Sequence, residues 1–586
     1  MLLPGFPAGK WITKCYKESL EENSKMRPFL VLAICAMLAP GADLVLRNGK
    51  IVTLDPAAPQ VQAIAITSGK VVAVGTDAEI ARQIQPSTKV VDLGGHLAIP
   101  GFIEGHGHFT GIGQAKMSLN LRDARTWDDI VNMVAAAARE AKPGEWIVGG
   151  GWHQEKWDKK PTPNVNGFPV NDSLSKVSPN NPVVLSHASG HAVFVNQAAM
   201  TRAGITRDTP NPAGGEIMKD AAGNPIGLLN EKAQSLVSAA RSRDLAKRTP
   251  AERDADAERQ LDLAAQEVIS KGITSFEDAG SPFDVIDRLK RRAANGQLPL
   301  RMWVMMRTSN DQIFASGENY KMVGFGDNHL TVRAIKRQID GALGSRGAWM
   351  LEPYSDLPST SGLATEDPAD IEKTAKWAID HGVQLCVHAI GDRGNREVLD
   401  IYERTFKSEP QKKDLRWRIE HAQHLSPQDI PRFGQLGVIA SMQAIHCTSD
   451  GPMVIPRLGA RRAEQGAYVW RSLMNTGAHV TNGTDAPVED VAPIPNFYAA
   501  VSRRMKNGQT FYPEQRLTRM EALRSYTIEN AYAAFEENIK GTLKPGMLGD
   551  VTVLSKDILT IPEEEIPTAK VEYTIVGGKI AYQSVK

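Results

Sequence analysis

The most informative segment of the chain runs Ala98-Ile99-Pro100-Gly101-Phe102-Ile103-Glu104-Gly105-His106-Gly107-His108. Its apolar first part predicts a buried strand that ends at a polar site. His106 and His108 are two residues apart, so in extended backbone their side chains point to the same side. Two imidazoles on one face can hold one metal ion. Taken alone, the pattern also fits two structural histidines that are simply hydrogen-bonded at a strand end.

The composition of the 586-residue chain limits what kind of protein it is. Its length predicts one large domain with a smaller one, because a single core rarely grows to this size. With 42% hydrophobic and 23% charged residues, the chain has the composition of a globular protein. The net charge of +1 gives no electrostatic reason to expect binding to nucleic acid or to an anionic membrane surface. The composition does not decide the oligomeric state, so a homo-oligomer is an open alternative to a monomer.

The amino terminus, residues 1–42, has the pattern of an extension followed by a secretory signal peptide. Met26 and Arg27 precede an apolar stretch too short for a membrane-spanning helix, and Ala39 and Gly41 supply the small residues that suit cleavage. We predict that translation starts at Met26 and that the mature protein is periplasmic or secreted. A buried amino-terminal helix is the alternative. No stretch after residue 45 is long and apolar enough to span a bilayer, so we expect no stable membrane insertion once the signal is removed.

Residues 43–97 and 540–586 both show short strands joined by tight turns. In the first segment the dipeptide Asn48-Gly49 is a strong hairpin signal. In the second, residues 550–554 form a short segment with the character of a strand. Strand-rich pieces at both ends predict one small β-sandwich domain assembled from both termini. The middle of the chain is then a single insertion whose entry and exit are adjacent.

The middle of the chain, residues 98–539, alternates predicted strands with predicted helices. The predicted strands end within His106–His108, Thr274–Asp278, Trp303–Met306, Ile335–Ile339, Leu385–His388, Ile419–His421, Ala440–Gln443 and Val480–Asp485. Helical patterns cover Asp254–Ser270, Asp370–His381, Pro427–Leu436 and Val491–Arg504. Eight strand–helix units predict a parallel (β/α)8 barrel of the TIM type. Residues 110–250 are too long for one unit and predict a large insertion after the first strand, on the active-site side.

Polar residues stand at the ends of several of these predicted strands. In a barrel such ends converge on one point, and a metal-hydrolase site needs neutral imidazoles and a carboxylate. The residues concerned are His106, His108, Lys336, His388, His421 and Asp485. Together they are a much stronger signal of a metal site than any one of them.

With these motifs in place, the chain resembles the amidohydrolase superfamily, and within it the large-insert branch that includes N-substituted formamide deformylases. The resemblance covers roughly residues 43–586. The matching motifs are Pro100–His108, Lys336-x-x-x-Asp340-Gly341-Ala342-Leu343-Gly344-Ser345-Arg346, Val387–Arg393, Ile419–Gln423 and Asn482–Val488.

This resemblance implies a divalent metal site, with two zinc ions as the default and iron, manganese or cobalt as alternatives. It implies His106, His108 and Asp485 as ligands of one ion, and His388 and His421 as ligands of the second. Lys336 is implied to bridge the two ions as an Nζ-carboxylated lysine. If Lys336 is instead an ordinary lysine or a salt-bridge partner of Asp340, one metal is expected.

His191 and Arg346 also match the family pattern and are candidate substrate-binding residues; for each, a structural hydrogen bond is the alternative. His446, at the end of the seventh predicted strand, is a third candidate, and an ordinary loop histidine is its alternative.

Metal-dependent hydrolysis of a C–N bond in an amide-like substrate, such as an N-acyl or N-formyl compound, is the leading hypothesis. Asp485 is the predicted catalytic residue, taking a proton from the attacking water and returning it to the leaving nitrogen. Deamination of a heterocycle, or hydrolysis of an ester or lactone, would use the same site. A non-catalytic metal-binding or regulatory protein on this scaffold is the alternative from another class.

Overall fold

The computed structural model of the protein describes residues 41–154, 157–187, 192–212, 215–344 and 346–585. Residues 42–586 form one unit. The predicted signal peptide lies within residues 1–40, outside the described residues. Among the residues that are described, no helix is long and apolar enough to cross a membrane.

The amino-terminal strands form a four-stranded sheet and supply part of a second sheet. The elements are β1 (Leu44–Arg47), β2 (Lys50–Val52), β3 (Gln60–Val61), β4 (Ala63–Thr67), β5 (Lys70–Gly75), α1 (Asp77–Ile80), a 3-10 turn (Ala81–Gln83), β6 (Lys89–Asp92) and β7 (Leu97–Pro100). The first sheet has the order β5-β4-β1-β6. Asn48 has a φ of 53° in the turn between β1 and β2, a conformation that asparagine tolerates well.

The first barrel strand is followed by a large insertion with its own sheet and core. These elements are β8 (Phe102–Gly107), α2 (Phe109–Lys116), β9 (Leu119–Asn120), α3 (Trp127–Glu140), β10 (Ile147–Trp152), β11 (Asn164–Val165), β12 (Phe168–Pro169), α4 (Asp172–Val177), β13 (Val183–His187), β14 (Ala192–Val195), α5 (Gln197–Ala203), β15 (Gly215–Lys219), β16 (Pro225–Glu231) and α6 (Gln234–Ala246). The insertion sheet has the order β15-β16-β14-β13-β10-β9. Trp127, Trp152 and Phe194 pack at the centre of its core.

The remaining elements complete the barrel and then add three carboxy-terminal strands. They are α7 (Pro250–Ser270), β17 (Ile273–Ser281), α8 (Phe283–Ala294), β18 (Arg301–Met306), α9 (Asn310–Tyr320), β19 (Met322–Gly324), α10 (Phe325–Asn328), β20 (Leu330–Gln338), α11 (Pro368–Asp380), β21 (Gln384–Ala389), α12 (Asp392–Ser408), β22 (Arg418–His421), α13 (Ile430–Leu436), β23 (Ile439–Met442), α14 (Ala444–Leu458), α15 (Ala460–Gly466), α16 (Trp470–Met474), β24 (Val480–Asn482), α17 (Pro493–Ser502), a 3-10 turn (Pro513–Gln515), α18 (Arg519–Ser525), α19 (Ile528–Ala533), β25 (Val551–Leu554), a 3-10 turn (Glu563–Thr568), β26 (Val571–Val576) and β27 (Lys579–Gln583).

Eight parallel strands form the barrel, in the order β24-β23-β22-β21-β20-β18-β17-β8. The two end strands are joined through Asn530, whose side-chain amide donates to the carbonyls of Ile103 on β8 and Asn482 on β24. This confirms the predicted (β/α)8 barrel. Each of the eight predicted barrel strands is present. In such a strand, side chains alternate between the barrel interior and the surrounding helices, which both exclude water.

Strands from the two ends of the chain share one sheet, with the order β27-β26-β25-β7-β2-β3. The junction is antiparallel, with Val551 of β25 opposite Pro100 of β7. Apolar side chains of this sheet, such as Val553, pack in one core with Leu46 and Ile64 of the four-stranded sheet. The composite β-sandwich domain predicted from the sequence stays a prediction.

Candidate metal centre

The centre lies where β8 and β24 end side by side. The backbone N–H of Asp485, three residues past β24, donates to the carbonyl of His106 at 2.7 Å. This bond brings the Asp485 carboxylate beside both histidines of the first strand. Its Oδ1 is 3.5 Å from His106 Nε2 and 3.3 Å from His108 Nε2. His106 is fully buried, whereas the side chain of His108 is 30% exposed, so the open side of the centre is at His108.

Two more imidazoles reach the same point from β21 and β22. The ring centroid of His421 is 4.7 Å from that of His106 and 4.5 Å from that of His388. Donor atoms of His106, His421 and Asp485 all lie within 4.8 Å of one another. Neutral imidazoles with a carboxylate are the donors that a catalytic zinc-type site uses. The residues present therefore fit a divalent metal ion.

Lys336 enters the centre from β20, with its Nζ 3.5 Å from His106 Nε2. Its side chain is buried, and burial lowers the pKa of the amine. Asp340 is not its salt-bridge partner in the described structure. The Asp340 carboxylate instead accepts hydrogen bonds from the backbone N–H groups of Trp349, Ile390 and Gly391. Lys336 therefore faces the histidines.

In two of these imidazoles, the ring nitrogen that faces away from the centre is hydrogen-bonded to a protein side chain. Glu420 accepts a short hydrogen bond from His106 Nδ1, and Gln443 Oε1 lies 2.6 Å from His421 Nδ1. Such partners fix the tautomer, so that Nε2 of each ring is the atom left to bind a metal. The contact of His388 with Asp340 is longer, at 3.6 Å. Within the described residues, His388 Nε2 has no hydrogen-bond partner although it is buried.

The backbone is strained at two of the candidate ligands. His421 has a φ of 78° and Asp485 a φ of 57°, in the left-handed region that residues other than glycine rarely adopt. Each such residue costs on the order of 1–3 kcal/mol and persists only where its surroundings hold it. Here the strained turns aim both side chains at the centre.

The charge states of the centre suit a cation. Burial opposes ionisation of Asp485, but the neighbouring rings of His106, His108 and His421 hold the pKa of its carboxyl well below the usual range. Burial lowers the pKa of His388 to about 3 and lowers that of His421 well below its ordinary value. At neutral pH His388 and His421 are therefore neutral and Asp485 is ionised, which are the forms that bind metals.

Comparison with known proteins agrees with this geometry. The profile of the amidohydrolase family matches residues 89–582. The chain belongs to the amidohydrolase family. It is 33% identical to "Protein LONG AFTER FAR-RED 3" of Arabidopsis thaliana, over 92% of each chain. It is 26% identical to the N-substituted formamide deformylase of Arthrobacter pascens, over 92% of this chain and 98% of that protein. In fold, it resembles an uncharacterised metal-dependent hydrolase from Pyrococcus furiosus, with a TM-score of 0.69, 24% identity and coverage of 88% of this chain and all of the other.

Membership of the amidohydrolase family confirms the resemblance that the sequence motifs indicated. It also supports metal-dependent hydrolysis as the general activity. The family membership and the donor cluster also support a divalent metal as cofactor and a small molecule as substrate.

The structure brings the six predicted metal ligands of this amidohydrolase together. The three predicted substrate-binding residues do not share one location. His446, at the start of α14, is buried with its ring centroid 6.2 Å from that of His421. Arg346 forms a two-bond ion pair with Asp356, at 3.1 and 2.9 Å. His191 lies outside the described residues.

An ionic cluster beneath the amidohydrolase centre was not recognised from the sequence. Arg418 is fully buried on β22 and donates to Glu277, to Glu420 and to the carbonyl of Gly105. Burial opposes the charge of Glu420, but Arg418 and His106 hold the pKa of its carboxyl well below the usual range. Burial raises the pKa of Glu277 to about 7. Arg418 thus keeps ionised the carboxylate that orients His106.

The residues that orient the histidine ligands are only weakly indicated by the sequence. Arg418 and Glu420 are two residues apart on a strand that otherwise enters a barrel core, which places two charges on one buried face. Gln443 directly follows a buried strand. Buried charges of this kind need partners, so these positions could have been chosen as candidates for supporting the ligands.

Proposed function

We propose that this amidohydrolase hydrolyses a C–N bond in an amide-like substrate, an N-acyl or N-formyl compound, with two zinc ions bridged by carboxylated Lys336. The observation that carries the proposal is the position of Asp485: an ionised carboxylate beside His106 and His108, on the open side of the centre. The similarity to an N-substituted formamide deformylase over nearly the whole chain supports the choice of bond.

The chemistry adds water across the C–N bond. A divalent metal, when bound, lowers the pKa of water and polarises a carbonyl oxygen. Asp485 accepts one proton of the attacking water while the remaining oxygen bonds to the carbonyl carbon. As the C–N bond breaks, Asp485 returns that proton to the leaving nitrogen, so the products are a carboxylic acid and a free amine and the enzyme is unchanged.

His446 has the hydrogen-bonding state expected of a group that holds the substrate. Its Nδ1 lies 3.1 Å from the side-chain amide nitrogen of Gln423, so Nδ1 accepts and Nε2 carries the hydrogen. His446 Nε2 is buried, and the described structure gives it no partner. An unpaired buried donor near His421 suits an oxygen of the substrate.

Lys336 is chemically suited to carboxylation. Only a neutral amine attacks carbon dioxide, and burial lowers the pKa of this lysine. The product replaces a cation with a carboxylate long enough to reach two ions.

A substrate panel tests the proposed function. The full-length protein is assayed with N-formyl and N-acyl amines, with amino-substituted heterocycles and with esters and lactones. We expect release of acid and free amine in equimolar amounts, lost on chelation and restored by zinc. Ammonia from heterocycles alone would establish a deaminase instead, and turnover of esters alone an esterase. Metal-loaded protein that turns over none of these substrates would favour a non-catalytic role.

Replacing Lys336 with methionine is expected to lower the metal content from two ions to one per chain and to remove bound carbon dioxide. The reason is that an unbranched apolar side chain fills the space but cannot bridge two cations. Native mass spectrometry and metal analysis measure both quantities. Lys540 is a matched control, since it is also buried but bonds to Ser275 and Glu536. Two ions bound to the Lys336→Met protein would contradict the bridge.

A further inference from the structure

Arg307 is a cation at the mouth of the barrel that the proposed chemistry does not use. It directly follows β18, and Met306 of that strand is in register with Ile335 of β20. Arg307 is therefore at the level of Lys336 on the neighbouring strand. Trp303 and Met305 of β18 face the barrel interior, so alternation along the strand directs Arg307 to the same side, one layer higher.

The guanidinium is held at the mouth without being neutralised. Its Nη2 donates to Oε1 of Gln338, a neutral amide, at 3.0 Å. Among the described residues it forms no ion pair, and the side chain is exposed. Glu366, a carboxyl that interacts electrostatically with Arg307, forms no ion pair with it in the described structure.

The neighbouring strand is shaped to receive the stem of this arginine. Gly280, near the end of β17, has a φ of 126°, and a Cβ at this position would lie 2.7 Å from Cβ and 2.8 Å from Cδ of Arg307. Any other residue at 280 would displace the arginine stem. Gly280 and Gln338 thus fix an exposed side chain that is otherwise free to rotate, which reduces the entropy lost when it binds a ligand.

Arg346, the other arginine considered as a substrate-binding residue, differs from Arg307 because it already has an ion-pair partner. Its guanidinium is already paired with Asp356, and Arg457 also contacts that carboxylate. A second anion at Arg346 would have to compete with this ion pair. The unpaired guanidinium at the mouth is therefore the better anion site.

We propose that Arg307 binds a carboxylate of the substrate, so that the preferred substrates are amides that carry a carboxylate near the scissile bond. A guanidinium matches a carboxylate with two parallel hydrogen bonds. This inference rests on the proposed function, because it assigns a substrate class to the same site. It adds a specificity-determining residue that the metal ligands do not provide.

Binding of a matched pair of compounds tests this proposal apart from turnover. N-acetylglycine carries the carboxylate, and N-acetylglycinamide is its neutral counterpart. Calorimetry at low salt compares their affinities for the full-length, metal-loaded protein in an Asp485→Asn background, in which hydrolysis is too slow to disturb the binding measurement. We expect the acid to bind about 10–100-fold more tightly than the amide, a difference of about 1.4–2.8 kcal/mol, as a charge-assisted hydrogen bond contributes.

Substituting Arg307→Met is expected to abolish this preference, and Arg307→Lys to retain part of it, because lysine keeps the charge but not the paired geometry. Arg404→Met is the control, since Arg404 is an exposed arginine paired with Glu372 on the outside of the barrel. An Asp485→Asn protein with Arg307 intact that binds the acid no better than the amide would overturn the proposal. So would a preference that persists in Arg307→Met, which would assign the carboxylate to the metal instead. Failure of the proposed function would appear separately, as absence of amide hydrolysis in the substrate panel.

Discussion

Replacing Asp485 with asparagine is expected to lower kcat by about 10²–10⁴-fold while most of the bound metal is retained. Asparagine has nearly the same shape and keeps one oxygen toward His106 and His108, so the local geometry survives. What it lacks is an ionised oxygen that can take a proton from water and deliver it to nitrogen. Burial makes the asparagine variant easier to accommodate, because a neutral amide costs less to bury than a carboxylate.

The measurement combines steady-state kinetics with metal analysis of the same preparation. Asp278→Asn is the matched control, because Asp278 also lies near the carboxyl end of a barrel strand but accepts hydrogen bonds from the Phe109 backbone and from Ser281. We expect the control to keep its kcat within about tenfold of wild type, because Asp278 takes no part in the proposed proton transfer. Near-normal turnover by fully metal-loaded Asp485→Asn would exclude Asp485 as the proton carrier.

The barrel and the ligand set could be predicted from the sequence because both follow a simple periodicity. Parallel strands bury both faces and alternate with helices, and the residues that end them converge at one rim. His388 and Lys336 obey this rule, since each occupies an inward position on a regular strand. The rule needs no knowledge of which strands are neighbours.

The orienting network could not be predicted in the same way, because it depends on departures from periodicity and on distant pairs. In a regular strand Glu420 and His421 would point to opposite faces. The left-handed backbone at His421 instead lets both reach the centre. Arg418 and Glu277 are 141 residues apart, and no local pattern couples them. The sheet of the insertion could not be predicted from the strand pattern either. Its strands pair both parallel and antiparallel, and some have only two residues.

Replacing Arg418 with methionine is expected to lower the free energy of unfolding by about 3–5 kcal/mol. The side chain is fully buried, so its loss leaves Glu277 and Glu420 as neighbouring buried carboxylates without the guanidinium that pairs with both. Methionine fills much of the volume of the arginine side chain, so the loss of stability comes mainly from the loss of the positive charge. Urea unfolding followed by circular dichroism measures the change, and Arg404→Met should lose less than about 1 kcal/mol, as exposed ion pairs do.

The pH dependence of this loss identifies its electrostatic origin. Burial already raises the pKa of Glu277 to about 7, so this carboxyl binds its proton more tightly in the folded than in the unfolded protein. For a carboxyl with a raised folded pKa, stability falls as the pH rises from the unfolded pKa to the folded one. Without Arg418 the folded pKa rises further, so the penalty keeps growing above neutrality. We therefore expect Arg418→Met to be destabilised more at about pH 9 than at about pH 6, and Glu277→Gln in the same chain to remove most of that difference. An equal loss of stability at both pH values would show that packing, and not the unpaired carboxylates, accounts for the instability.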